Sequence, residues 1–306
     1  MPTASRPKQA KPSVSVIGSG RLGTALAMAL SSLGYPIQAV VARRRTMARK
    51  AADLVSKQTL ALKASELDLL PASKILLLTT PDDEIAHTAQ SLAGSPRSLP
   101  KGSIVLHTSG ALSSDVLEPL AGIGFHVGSV HPLVSVSDPR TGQDSLRGAF
   151  YCIEGDPVAT RMARALVSDL KGRSFTISSF NKPLYHAAAV MASGHVLALY
   201  DLATEMLVQC GLEPKQALRV LMPLLQSTVR NLSRSNPARA LTGTFARGDV
   251  ATVRRHLQAL SGDELLEAIE VYKLLGARSL QLAARNGLEP KLARQMIRAL
   301  TAATKK

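Results

Sequence analysis

The sequence predicts an α/β protein, with an N-terminal doubly wound, mainly parallel sheet followed by an all-α C-terminal part. Three observations predict it. Short apolar runs alternate with amphipathic stretches from Ser13 to about Phe180, the pattern of repeated strand–helix–strand units. The first unit places Gly18-x-Gly20-x-x-Gly23 between a β-branched run and a helical one. After Asn181 the β-branched runs stop and helical periodicity takes over.

Residues 1–12 (MPTASRPKQAKP) contain Pro and Lys, lack periodicity and read as a disordered arm. The next stretch, VSVIGSGRLGTALAMALSSLG from Val14 to Gly34, fits two readings. Arg6, Lys8 and Lys11 before it, and Ala27-Met28-Ala29 within it, imitate a secretion signal. Against that, Gly18 and Gly20 break the apolar run near its start and Arg21 puts a charge inside it. A strand (Val14, Val16, Ile17), a glycine turn and a helix (Leu22, Leu26, Ala29, Leu30) is the better account. Further strands are expected at Ile37–Ala42, Lys74–Thr80, Ser103–His107, Val127–Val130, Phe150–Glu154 and Ser174–Ile177. Lys182–Cys210 reads as one long helix ended by Gly211, with helices following at about 214–234, 249–260, 263–286 and 290–303. GLEPK occurs at Gly211–Lys215 and again at Gly287–Lys291. A glycine ending one helix and a proline starting the next explain it without a duplication.

Composition narrows the function. A chain of 306 residues, 45% hydrophobic, is long enough for two domains and a sizeable core. Cys152 and Cys210 offer neither a disulfide framework nor a zinc pattern and point to a reducing, cytoplasmic setting. No uninterrupted apolar run spans a bilayer, so no membrane partner is expected. The net charge of +15 fits nucleic acid, but the basic residues are scattered, aromatics are 3% and Trp is absent. Stacking platforms are therefore scarce, and an anionic small ligand fits the charge better than nucleic acid.

The glycine turn names that ligand's class. In a dinucleotide site the first glycine makes the turn, the second admits the pyrophosphate, and the third lets helix and strand pack. The helix N-terminus offers free N–H groups to the phosphates. Gly18, Ser19, Gly20, Arg21, Leu22 and Gly23 are thus expected to hold the cofactor. An NAD site ends its second strand with an acid for the ribose hydroxyl. Here no acid lies between Thr24 and Ala52, and the strand ends in Arg43, Arg44 and Arg45. Arginines suit a 2′-phosphate, so NADP(H) is the expected cofactor. A solvated basic surface is the alternative for those arginines.

Six motifs then carry a resemblance: VIGSGRLGTALA, TTPDDEI (Thr79–Ile85), HTSGAL (His107–Leu112), SVHPLVS (Ser129–Ser135), YHAAAVMASGH (Tyr185–His195) and ALTGTFARGD (Ala240–Asp249). In this order they resemble the Rossmann-like proteins that carry a C-terminal domain of unknown function numbered 2520. The architecture is distantly similar to pyrroline-5-carboxylate reductase and to the 6-phosphogluconate and β-hydroxyacid dehydrogenases. Two departures stand out: Thr244 replaces the proline usual after LTG, and Gly194 stands where Asn is frequent. The expected organisation is a 1–12 arm, a 13–181 dinucleotide-binding Rossmann domain and a 182–306 all-helical domain for substrate and dimerisation.

Ligands of open α/β sheets lie beyond the strand C-termini. Strand counting puts Thr80, Pro81 and Asp82 there beside the nicotinamide ribose, with His107, Ser109, Gly110 and His131 as substrate contacts. His107 capping its own loop, and His131-Pro132 merely shaping a turn, are the structural readings. His186, Val190 and Ser193 share one helical face, with Lys182 a turn earlier. The resemblance to the dehydrogenases implies that this helix faces the nicotinamide and carries the proton-handling residue. His186 suits a general acid, Lys182 rivals it, and Ser193 joins the substrate contacts. A buried, satisfied histidine is the alternative for His186. His107, His126 and His131 lack metal-site spacing, so no metal is expected. The RGD at Arg247–Asp249 reads as a helix start capped by Asp249. The function expected is an NADP-dependent oxidoreductase acting on a small, anionic keto/hydroxy or imine/amine substrate at the domain interface. A non-catalytic NADP(H)-binding sensor is the alternative. A homodimer is expected because the related dehydrogenases dimerise through such helices.

Overall fold

The computed structural model describes residues 10–94 and 99–302. Most of the 1–12 arm lies outside them, although Lys11 pairs with Asp169. The chain divides into two units, Met1–Ser193 and Gly194–Lys306.

Among the described residues the first unit builds an eight-stranded sheet. Its strands are β1 (Val14–Ile17), β2 (Ile37–Ala42), β3 (Leu60–Lys63), β4 (Ile75–Leu78), β5 (Ile104–His107), β6 (His126–Pro132), β7 (Phe150–Gly155) and β8 (Arg173–Phe175). The order is β3-β2-β1-β4-β5-β6-β7-β8, and only the β6–β7 pair is antiparallel. The helices are α1 (Arg21–Ser32), α2 (Arg45–Val55), α3 (Asp82–Gly94), α4 (Glu118–Ala121), α5 (Pro139–Ser145), α6 (Pro157–Asp169) and α7 (Lys182–Ala192).

Alternation along the strands splits the core over two faces. Val14, Val16, Ile75 and Leu77 face α1 and α6 through Ala25, Leu30, Ala163 and Leu166. Ile17, Leu76 and Leu78 face α3 through Ile85, Ala89 and Leu92. The chain leaves β1 toward β2 and β3, then returns to β4 on the other side of β1. A crevice opens at that reversal. Strand β3 escapes the sequence pattern because Leu60, Ala61 and Lys63 suit a helix equally; pairing with β2 decides it.

The second unit is helical: α8 (Gly194–Gln209), α9 (Pro214–Val220), α10 (Met222–Arg234), α11 (Pro237–Ala240), α12 (Thr244–Arg247), α13 (Val250–Ala259), α14 (Leu266–Arg285) and α15 (Pro290–Ala302). Its core joins Val253 and Leu257 of α13, Ile269 and Leu280 of α14, and Met296 and Leu300 of α15. Gly211 and Gly287 both take positive φ, and Pro214 and Pro290 open the next helices, as capping requires. Asp249 caps α13 by accepting from the Thr252 N–H at 3.0 Å.

Two expected helices are broken. The stretch Lys182–Cys210 is interrupted at Ser193, whose φ of −126° and ψ of −78° leave the helical region. Ser193 and Gly194 are both poor helix residues, one competing for backbone hydrogen bonds and one entropically costly. The stretch 214–234 breaks before Pro223, which lacks the N–H and crowds the preceding turn. Ser179–Gln209 is nonetheless long and apolar enough, by length and composition alone, to cross a membrane, with a mean hydropathy of 1.3.

Candidate active site

The β1–α1 turn is built as the glycine spacing demands. Gly18 has φ +117°, and a Cβ there would fall 2.6 Å from the Thr79 carbonyl. The place of a Gly23 side chain is taken by the Gly18 carbonyl and the Thr79 hydroxyl, and that hydroxyl donates to Gly18 O at 2.7 Å. A Cβ on Gly20 would meet nothing within 4 Å. Helix α1 starts without a side-chain cap, so its first N–H groups are left for an anion.

A cavity of about 810 Å³ opens over this turn. Gly18, Ser19, Gly20, Arg21 and Leu22 form one wall, and Ala42, Arg43, Arg44 and Met47 another. Thr80 and Pro81 close its far end, with Glu84 and His87 of α3 beside them. Volume and lining suit a dinucleotide. Arg45 is placed differently from Arg43 and Arg44: its guanidinium pairs with Glu66 and donates to Ala61 O at 3.2 Å. The acid that captures it comes from beyond β3, a neighbour that only the sheet supplies.

Across the sheet edge, Leu78, His107 and Ser129 are in register. Thr80, Ser109 and His131 each follow by two residues: Thr80 and Ser109 lie just past β4 and β5, and His131 lies near the end of the longer β6, paired with Cys152 of β7. The lower layer here is a buried scaffold. His107 is fully buried, accepts the Ser109 N–H on Nδ1 at 3.2 Å, and meets Ser113 O with Nε2 at 3.2 Å. Burial, then the charge on Lys182, press its pKa down to about 4. Its ring is therefore neutral and caps its loop. Ser109 donates to Asp82 at 2.8 Å and accepts from the N–H groups of Ala111 and Leu112. Its hydroxyl and the Asp82 carboxylate thus join α3 to this loop.

Lys182, at the start of α7, is completely buried. Its ammonium reaches Ser129 Oγ at 2.7 Å, Ser109 O at 3.2 Å and Glu154 Oε1 at 3.3 Å. Three donors meet three acceptors. Glu154 also accepts from the Ser114 N–H and hydroxyl, both at 2.8 Å, and from Ser129 at 2.6 Å. Burial pushes Glu154 up, yet the Ser129 and Ser114 hydrogen bonds and the Lys182 charge outweigh it and hold the carboxyl below its usual range. Burial lowers Lys182 more than Glu154 raises it. The lysine holds α7 and the Ser109 loop on the sheet.

Above this scaffold stand Gly110, His131, Tyr185 and His186. His131 Nδ1 lies 2.6 Å from the Tyr185 hydroxyl. The His131 and His186 rings meet edge to face at 5.6 Å. A Cβ on Gly110 would collide with His186 Nδ1 and fall 2.9 Å from His131 Nε2. Burial first, then His186 and Lys182, press His131 down to about 4. Among the described residues, two buried side-chain polar atoms lack any hydrogen-bond partner: Thr80 Oγ1 and His186 Nδ1. Such atoms are costly unless a ligand meets them. Ser193 sits exposed at the break after α7 and shares no hydrogen bond with this cluster among the described residues. Sequence reasoning missed Tyr185 and Glu154. A lone acid closing the apolar run YCIEG was a visible signal for Glu154.

Residues 1–132 match a Rossmann-like domain, and residues 149–279 match the domain of unknown function 2520. The resemblance carried by the six motifs holds for both. A candidate NADP oxidoreductase from Bacteroides fragilis is 26% identical, with a TM-score of 0.72 over 89% of this chain and 98% of that one. A protein from Thermotoga maritima is 22% identical, with a TM-score of 0.68 over 89% of this chain and 99% of that one. The pyrroline carboxylate reductase of Plasmodium falciparum, solved with NADP bound, shares the fold at 11% identity and a TM-score of 0.54, over 96% of this chain and 98% of that one. No curated protein matches the chain in sequence.

Proposed function

We propose that this chain, a Rossmann-like domain followed by domain of unknown function 2520, is an NADP(H)-dependent oxidoreductase. Its substrate is a small molecule, anionic at neutral pH, bearing a keto/hydroxy or imine/amine group that binds beside Gly110. The observation that carries the reading is the pair of orphaned atoms: Thr80 Oγ1, on a residue that lines the glycine-turn cavity, and His186 Nδ1, which faces Gly110. NADPH supplies the hydride when bound. The Gly18–Gly23 turn and the α1 N-terminus hold its pyrophosphate, Arg43 and Arg44 hold its 2′-phosphate, and Thr80 and Pro81 line its ribose edge. His186 gives the proton that the substrate heteroatom needs. The Bacteroides relative's assignment supports this reading.

Calorimetric titration with NADPH, then nicotinamide absorbance with a panel of keto acids and imines, tests it. Binding without turnover on any substrate reduces the protein to a cofactor sensor; no binding removes the reading altogether. Gly20→Val should abolish binding and leave the fold intact, because its side chain enters open space.

The reading includes a homodimer in a reducing, cytoplasmic setting. Leu184, Met191, Leu197 and Leu199 are exposed along α7 and α8. Lys182 and Tyr185 tie α7, with its exposed Leu184 and Met191, to the sheet. A second copy is the occupant we assign. Light scattering that gives a monomer mass at every concentration would reject it.

A further inference from the structure

His131 and His186 both face Gly110, and their different surroundings imply different chemistry. We propose that Tyr185 fixes His131 in the tautomer protonated on Nε2, so that His131 serves as a neutral hydrogen-bond donor to the reacting heteroatom of the substrate. The inference rests on the oxidoreductase reading for its function, but not for its geometry.

The proton count leads to it. The Tyr185 hydroxyl has one proton and two neighbours that can take it, His131 Nδ1 at 2.6 Å and the buried Cys152 sulfur. An imidazole nitrogen is a far stronger acceptor than a thiol. The Cys152 sulfur is approached by the Ile177 N–H as well, so it does not depend on the phenol for a donor. The phenol proton therefore goes to the stronger acceptor at hydrogen-bond distance, His131 Nδ1. With Nδ1 accepting, a neutral His131 carries its proton on Nε2. That nitrogen borders the space left by the missing Gly110 side chain, beside the unpartnered His186 Nδ1.

The surroundings keep the ring neutral. Among the described residues, the titratable groups that act on it are His186, Lys182 and Tyr185, and no carboxylate hydrogen-bonds its ring. Burial presses its pKa to about 4. A neutral donor stabilises charge without surrendering its proton. As the substrate carbon gains a C–H bond, the π electron pair moves to the oxygen or nitrogen. His131 Nε2–H hydrogen-bonds that atom throughout, and the proton that completes the new O–H or N–H bond comes from His186. The substrate is reduced and NADPH is oxidised; the reverse order serves oxidation. Gly110 is then required as the one residue type that leaves room for a substrate atom between the two rings.

Imidazole ¹⁵N spectra of the full chain test this directly, with and without NADP⁺. The His131 signals are assigned by their loss in His131→Gln. At neutral pH Nε2 should be protonated and Nδ1 bare, and this should persist well below the ordinary histidine range. Tyr185→Phe removes only the hydroxyl and should shift the tautomer ratio by about fivefold, the worth of one neutral hydrogen bond. A proton on Nδ1, an imidazolium at neutral pH, or an unchanged ratio in Tyr185→Phe overturns the inference. The wild-type spectrum decides even if the phenylalanine variant folds poorly. The expected tautomer in a protein without turnover would sink the oxidoreductase reading alone. Turnover in a protein with Nδ1 protonated would sink this inference alone.

Discussion

Replacing Lys182 by methionine separates the structural from the catalytic reading of that residue. Methionine is similar in length but donates nothing, so contacts to Ser129, Ser109 and Glu154 are lost together. Removing one partner of a buried ion pair typically costs about 3–5 kcal/mol. Here Glu154 keeps the Ser114 N–H and the hydroxyls of Ser114 and Ser129, so its charge is not stranded and the lower end, about 3 kcal/mol, is expected. For a unit the size of Met1–Ser193 that lowers Tm by roughly 6–12 °C. Adding Glu154→Gln should cost less than the sum of the single changes, a coupling of at least about 1 kcal/mol. Thermal or urea unfolding of wild type, both single variants and the double variant measures this. If Lys182→Met unfolds like wild type and loses only turnover, the lysine is the acid and the scaffold argument is wrong.

NADPH should bind at least about tenfold tighter than NADH, roughly 1.4 kcal/mol for one good phosphate contact. Arg43→Ala or Arg44→Ala should erode that preference, while Arg45→Ala should leave it unchanged because Arg45 is engaged with Glu66; competition titrations decide. His186→Asn should hold cofactor affinity within about twofold and lower turnover by roughly 10²–10⁴, and unchanged turnover would remove His186 as the acid. His107 has a folded pKa of about 4 against an ordinary 6.5. The unfolded chain therefore binds more protons between those values, so stability is full above about pH 6.5 and falls as pH drops toward 4, by an order of 3 kcal/mol. Urea unfolding across that window checks it, and a stability that rises on acidification there would contradict a neutral buried His107.

Local chemistry made much of this protein legible from its sequence. The glycine turn has one geometry that accepts Gly18 and Gly23, and the order strand, turn, helix is written in consecutive residues. Gly211–Pro214 and Asp249 are read the same way, since a cap depends on neighbours within a turn. Strand alternation and the later helical period fixed the fold class because burial of one face imposes them. Pro223 and Ser193-Gly194 carried local warnings of helix breaks, but apolar periodicity runs across them and masked both.

What tertiary structure decided are the partners. Arg43, Arg44 and Arg45 are alike in sequence, and only the Glu66 that arrives beside β3 turns one of them away from the cavity. Lys182 and His186 share a helical face, yet the lysine meets Glu154 and Ser129 while His186 Nδ1 has no hydrogen-bond partner among the described residues. His107 and His131 are alike in proton affinity, but one caps its own loop and the other leans on Tyr185. The reason is physical. A propensity or a cap is settled by the backbone within a turn or two, whereas a side chain's charge, tautomer and role are set by whichever group the fold brings within about 3 Å, and that group is usually far away in the chain.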